Sequence, residues 1–150
     1  MREALKLAAE AAEAGEVPVG AVVVWQDKII AASGNRRESD KCATAHAELL
    51  AIEEACRVRG GWRLHGCELY VTLEPCLMCA GAAINARIDR VVFGAHDLRF
   101  GALGSLLDAN AQGLNHKLTV TPGILADESR ALLQSFFRRK RTGEANGGAF

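Results

Sequence analysis

Three side chains that bind soft metals and one that moves protons fall in two short segments of this chain. His46-Ala47-Glu48 carries an imidazole and a carboxylate, and Pro75-Cys76-Leu77-Met78-Cys79 carries two thiols three positions apart. At the start of a helix, thiols at that spacing project to one side, and the positive end of the helix dipole favours the thiolate that binds metal. With His46 they make three ligands. Three protein ligands leave a tetrahedral zinc one position for water, whereas structural zinc sites usually close with four. Zinc acidifies such a water toward neutrality, and a neighbouring carboxylate can shuttle its protons. Glu48 is the candidate shuttle. Alone, Cys76 and Cys79 also read as a redox pair or as two buried cysteines; joined to His46 and Glu48, they read as a catalytic zinc site.

The elements that must position these residues follow from the hydropathy period. Residues 2–14 place Leu5, Ala8, Ala9 and Ala12 at helical spacing, with Gly15 as the stop. Residues 19–25 and 28–32 are apolar runs on either side of Gln26-Asp27, a hairpin that ends at Gly34-Asn35. A polar loop follows. Leu49, Ile52, Ala55 and Cys56 then predict a helix over 45–59, with Thr44 as N-cap and Gly60-Gly61 as the stop. Residues 68–73 read as a strand, 76–86 as a helix begun by Pro75, 90–94 and 118–121 as strands, and 124–141 as a last helix. Both ligand segments therefore lie in the first turn of a helix. The order predicts an α/β fold of three layers, a mixed five-stranded sheet with helices on both faces. Residues 142–150, with three Gly, read as a flexible tail after a domain of residues 1–141.

Composition narrows the class. A chain of 150 residues fits one domain, and 49% hydrophobic with 24% charged residues suits a packed globular core rather than disorder. Eighteen Lys and Arg balance eighteen Asp and Glu, so no overall field recruits nucleic acid or membrane. Any such attraction is local, and Arg138-Arg139-Lys140-Arg141 is the candidate, leaving 14 basic against 18 acidic residues elsewhere. Five cysteines, at 42, 56, 67, 76 and 79, are an odd number without a leader-like apolar segment, which argues against a disulfide scaffold and for a reducing cytoplasm. The apolar residues 17–25 are broken by Pro18 and Gly20 and are too short to span a membrane.

His-x-Glu followed by Pro-Cys-x-x-Cys is the established signature of the zinc nucleobase deaminases. More of the chain carries the resemblance: Thr44-Ala-His-Ala-Glu48, Tyr70-Val-Thr-Leu-Glu-Pro-Cys-Leu-Met-Cys-Ala-Gly-Ala82, Arg90-Val-Val-Phe-Gly-Ala95, Gly101-Ala-Leu-Gly-Ser105, Asn115-His116 and Gly123-Ile-Leu-Ala-Asp127. These segments resemble the bacterial tRNA-specific adenosine deaminase family, from the first helix to about Arg141. The resemblance implies a cytidine deaminase-like fold and one zinc per subunit, held by His46, Cys76 and Cys79. It also implies no organic cofactor and a homodimer that converts the wobble adenosine, position 34, of a tRNA anticodon to inosine, most typically in an arginine tRNA. Glu48 would carry the protons. Asn35 resembles the asparagine that hydrogen-bonds the flipped adenine, and Asp97 a residue near the ribose beside it; an Asn after Gly34 is otherwise a turn former, and Asp97 a solvated loop residue. Phe137, Arg138, Arg139 and Arg141 suit contact with splayed bases and phosphates of an anticodon loop, or else a solvated helix end.

Two features depart from the family pattern. Asp40-Lys41-Cys42-Ala43-Thr44 stands where Asp-Pro-Thr is common, so Cys42 is either a fourth thiolate that closes the zinc or a changed loop. Arg37 replaces a common proline. The remaining histidines, His65, His96 and His116, lack ligand spacing and read as surface or hydrogen-bonded residues. Cys56 and Cys67 read as small core residues, and Trp25, Trp62 and Phe136-Phe137 as core or interface rather than base-stacking platforms. Two rival functions share much of this pattern: deamination of a free base or nucleoside, with the same zinc chemistry, and a non-catalytic zinc-stabilised RNA-binding module, against which the unligated Glu48 argues.

Overall fold

The computed structural model describes residues 1–143. Five strands form one sheet in the order β2-β1-β3-β4-β5. β1 (Gly20–Trp25) turns at Gln26-Asp27 into β2 (Lys28–Gly34), and both run antiparallel to their neighbours on this side. β3 (Cys67–Leu73), β4 (Arg90–Ala95) and β5 (Thr119–Thr121) run parallel, each reached by a crossover. Helices α2 (Ala47–Arg59) and α3 (Leu77–Asn85) touch each other on one side, and α1 (Arg2–Glu13) and α4 (Ala126–Arg141) touch each other on the opposite side. The anticipated three-layer mixed sheet is the architecture found. A 3₁₀ turn at Ala109–Gln112 was not anticipated.

The strands alternate between two cores. On the α2/α3 side Ala21, Val23, Leu69, Val71, Val91 and Phe93 pack with Ala51, Ala55, Ala80, Ala83 and Ile84, nearly all small or β-branched residues that let two helices and a sheet approach closely. On the α1 side the approach is closer still. A Cβ at Gly20 would sit 1.9 Å from the Ala4 carbonyl oxygen and 2.7 Å from the Ala8 nitrogen, so the helix backbone rests on the strand where a side chain would otherwise stand. A Cβ at Gly94 would likewise meet Ser129 of α4, 2.4 Å from Oγ.

This contact corrects the reading of α1. The buried stripe is Ala4, Ala8 and Ala11, not the stripe through Leu5 and Ala12. Only the alanine ridge fits against Gly20, so shape decides over hydrophobicity. Other boundaries shift too. His46, in extended backbone (φ −75°, ψ 148°), is the N-cap of α2 in place of Thr44. Cys76 (φ −71°, ψ 174°) is the N-cap of α3, which starts one residue later than expected. α4 starts at Ala126, after Leu125 in a left-handed conformation (φ 54°), two residues later than the expected 124. Gly60 ends α2 with φ +73°, as its position in the sequence implied. The expected tail at 142–150 lies, from residue 144 on, outside the described residues.

Two apolar assignments also change. Trp62 is 52% exposed, with the Arg63 guanidinium 4.1 Å from its ring centroid. Phe136 is buried and Phe137 is 41% exposed, the two rings meeting edge to face. Among the described residues no helix is long and apolar enough to cross a membrane. Replacing Gly20 with Ala pushes a methyl into the backbone of α1, and overpacking of this kind costs about 1–3 kcal/mol. The expected result is a fall of several degrees in the thermal midpoint of Gly20→Ala with the metal site unaltered; an unchanged midpoint contradicts the close approach.

Candidate metal centre and active site

The two N-capping residues face each other. α2 and α3 lie side by side with His46 at the head of one and Cys76 at the head of the other, and Cys79 is one turn inside α3. His46 Nδ1 is 3.7 Å from Cys76 Sγ and 3.5 Å from Cys79 Sγ, and the three ligand atoms all lie within 4.8 Å of one another. Zinc bonds of about 2.3 Å to sulfur and about 2.0–2.1 Å to nitrogen at tetrahedral angles require N···S edges of about 3.6 Å. The observed separations match those edges, so the residues fit a tetrahedral zinc. The His46 ring makes no capping bond to its own helix, and the Cys76 sulfur meets both His46 and the Cys79 thiol. Among the described residues the group has three members, which leaves one tetrahedral position open. Cys42 does not join it: its side chain is exposed in the preceding turn, with Sγ 3.3 Å from Thr44 Oγ1.

The electrostatics are those of a site prepared for a cation. Hydrogen bonds from Cys79 and His46 hold the Cys76 thiol down at about 4, so it is a thiolate. Cys79 is pushed the other way, because it donates to the Cys76 sulfur and is buried, while His46 is raised by its bond to Cys76. Two sulfurs therefore share one proton, which a cation at the centre would displace, since coordinating thiols are deprotonated. Glu48 stands in the first turn of α2, 5% exposed, in contact with Cys79 and in the field of His46 and Cys76. Burial pushes its carboxyl up to about 7. Such a group can both take and return a proton near neutral pH.

The candidate substrate residues sit on three separate parts of the fold. Asn35 follows β2, and its side chain bonds to backbone on both sides: Nδ2 donates to the Val17 oxygen at 3.3 Å, and Oδ1 accepts from the Arg37 nitrogen at 3.2 Å. Asp97 lies just past β4, with Oδ1 accepting from the nitrogens of Arg99 and Phe100 at 3.0 and 3.1 Å, so it organises the turn it sits on. Its loop is tied to the metal site, since Gly101 bridges to Cys76. α4 begins over β4 and ends beside α1, with Arg139 3.9 Å from Glu13; from there the chain leads through Gly15 into Gly20, whose nitrogen donates to Thr72 at the ligand-bearing end of β3. Phe137, Arg138 and Arg141 are exposed on this helix. His96 and His116 are hydrogen-bonded as expected, His116 to the Ile88 oxygen at 2.7 Å.

Two buried carboxylates were not singled out from the sequence. Glu16, 1% exposed, accepts from the nitrogens of Glu38 and Ser39 at 3.1 and 2.6 Å, and thereby holds the turn after Asn35. Glu74, 2% exposed, lies between β3 and Cys76. The available signal was an acid one or two residues before a proline at the edge of an apolar strand, as in Glu16-Val17-Pro18 and Leu73-Glu74-Pro75.

The ligand set makes a direct prediction. His46→Ala, Cys76→Ala and Cys79→Ala each lose stoichiometric zinc by elemental analysis, and chelation lowers the thermal midpoint of the parent, because metal binding stabilises the fold. Cys42→Ser keeps one zinc per chain; loss of zinc there would make Cys42 a ligand.

Comparison with known proteins agrees with the site. Residues 1–95 match the family model described as the cytidine and deoxycytidylate deaminase zinc-binding region. The chain is 49% identical over 142 residues to a tRNA-specific adenosine deaminase of Bacillus subtilis, covering 94% of this chain and 88% of that one. It is 45% identical over 143 residues to a tRNA-specific adenosine deaminase of Haemophilus influenzae, covering 94% and 83%. A solved structure from work on A-to-I editing by tRNA:A34 deaminases superposes with a TM-score of 0.85 at 44% identity, over 89% of this chain and 97% of that one. A guanine deaminase from Nitrosomonas europaea superposes at 0.75 with 30% identity, over 89% and 80%. With its three-ligand zinc site and identity to these relatives over nearly all its length, the chain belongs to the zinc-binding cytidine and deoxycytidylate deaminase family, alongside the tRNA-specific adenosine deaminases.

Proposed function

We propose that this chain deaminates the wobble adenosine of a tRNA anticodon to inosine, with an arginine tRNA as the expected substrate and a homodimer as the working form. The observation that carries the reading is Glu48: a buried carboxylate in contact with a three-ligand metal group of which it is not a member. Identity to tRNA-specific adenosine deaminases along 94% of the chain supports the substrate class.

When bound, zinc acidifies the attacking water and so supplies a nucleophile near neutral pH. Glu48 takes a proton from that water and delivers it to N1 of adenine while the C6–O bond forms. It then takes the remaining proton from the oxygen now on C6 and passes it to the exocyclic amine, the C6–N bond breaks as the C6 carbonyl forms, and ammonia leaves with inosine as product. Burial serves this role, because a carboxyl poised at about 7 both accepts and donates. Asn35, held at the end of β2, would orient the flipped base, and Asp97 would meet the ribose beside it. Phe137, Arg138, Arg139 and Arg141 would carry stacking and phosphate contacts.

Zinc-loaded protein incubated with a wobble-adenosine stem-loop, and separately with adenosine, cytidine and guanine, is expected to yield inosine in the stem-loop alone by mass spectrometry. Stem-loops of arginine and other anticodons resolve the tRNA preference. Guanine turnover instead would move the chain to the activity of its 30%-identical structural relative. Glu48→Ala is expected to keep fold and zinc and to lose about 10²–10⁴-fold in turnover; near-parental turnover removes Glu48 from the mechanism.

The basic helix end generates a separate expectation. Arg138→Ala combined with Arg139→Ala raises KM for the stem-loop and flattens its salt dependence, leaving kcat nearly unchanged, because phosphate contacts release counterions on binding. An unchanged salt dependence would return these residues to solvated surface.

A further inference from the structure

Glu74 is a carboxylate that the metal does not use. It follows the last residue of β3, its side chain is 0% exposed, and its nitrogen donates to the Ala95 oxygen at 2.8 Å. Ser105 Oγ donates to Oε1 at 2.9 Å, whereas Oε2 is buried with no hydrogen-bond partner among the described residues. Burying a carboxylate on so few hydrogen bonds costs free energy. Its contacts show what is obtained in return.

Ser105 has one hydroxyl proton and gives it to Glu74. His96 Nδ1, 3.2 Å from Ser105 Oγ and 3.5 Å from Glu74 Oε1, therefore acts as a donor toward the same pair. A hydrogen-bonded chain thus runs from buried Glu74 through Ser105 to His96, the neighbour of Asp97. Gly101 packs on the other oxygen: a Cβ there would lie 1.3 Å from Oε2. Residues 96, 101 and 105 all close on one carboxylate. The same loop is stitched to the ligand-bearing turn, with the Ala102 nitrogen donating to the Pro75 oxygen at 2.8 Å and Gly101 bridging to Cys76. Inside it, the Gly101 nitrogen donates to the Asp97 oxygen at 2.8 Å, and the Leu106 nitrogen to the Gly101 oxygen at 2.9 Å.

We propose that Glu74 is a positioning residue for the RNA substrate: its buried carboxylate, through Ser105, His96 and the close-packed Gly101, fixes the loop of residues 96–107 against Cys76 and so sets where Asp97 meets the nucleotide. This rests on the tRNA reading of the site. Glu74 acts through the loop and touches neither the reacting atoms nor the metal ligands' donor atoms. Its removal should therefore weaken substrate binding more than chemistry.

The test compares zinc-loaded parent, Glu74→Gln, Ser105→Ala and the double variant. Readouts are zinc content, steady-state kinetics on the wobble-adenosine stem-loop, and amide hydrogen exchange. Glu74→Gln is expected to keep one zinc per chain and the slow exchange of Val71 and Val91 in the sheet. The Gly101, Leu106 and Leu107 amides exchange faster, KM rises about tenfold and kcat stays within about threefold. Ser105→Ala moves the same readouts in the same direction, and the double variant is no worse than Glu74→Gln, as one shared network requires. Unchanged KM and loop exchange in both single variants would overturn the proposal. So would zinc loss in Glu74→Gln, or a fall in kcat at constant KM. Should Glu74→Gln fail to fold, Ser105→Ala decides by the same criteria. A parent that ignores the stem-loop defeats the tRNA reading instead; loop exchange then decides the clamp by itself, faster exchange upholding it and unchanged exchange overturning it.

Discussion

Two helix N-termini meeting at one point is the constraint from which the rest of this structure follows. His46 caps α2 and Cys76 caps α3, so ligands from segments 30 residues apart in sequence converge only when both helices lie on the same face of the sheet with their heads together. The same convergence brings Cys79 and His46 within hydrogen-bonding reach of Cys76, and those bonds favour its thiolate. The sheet topology serves this geometry. β3 delivers its carboxyl end directly into the Pro75-Cys76 turn, and parallel β4 beside it delivers the loop that crosses Cys76.

Close packing of small residues makes the convergence possible. Ala47, Ala51 and Ala55 of α2 and Ala80 and Ala83 of α3 are fully buried, so the helices approach each other and the sheet without large side chains holding them apart. The opposite layer uses the same device more severely, with Gly20 admitting the backbone of α1 and Gly94 the Ser129 side chain of α4. A sheet clamped from both faces is a rigid platform. Rigidity matters at the site because a tetrahedral ion tolerates little variation in its ligand separations.

Buried acids then connect platform to loops. Glu48 is raised by burial and placed among the ligands, Glu16 ties down the turn after Asn35 through two backbone nitrogens, and Glu74 gathers the loop that carries Asp97. Each carboxylate sits where an apolar residue would pack at lower cost. Two of the three, Glu16 and Glu74, thus hold the loops after β2 and β4 by hydrogen bonds from buried positions.

The order of strands and helices, the three ligands and Glu48 were legible in the sequence, because they rest on local signals: periods of two and 3.6 residues, cap and stop residues, and metal-binding side chains at fixed spacing. A thiol pair three apart declares its geometry within a single helical turn. What the tertiary structure alone decided depends on which surfaces meet. The alanine stripe that α1 buries was settled by the absence of a side chain at Gly20, 12 residues beyond Ala8, and periodicity could not choose between two apolar stripes. Exposed Trp62, unligated Cys42 and the burial of Glu16 and Glu74 are of the same kind. Burial and hydrogen bonding of a polar residue depend on partners far away in sequence, such as Ser105 for Glu74, and no local pattern carries that information.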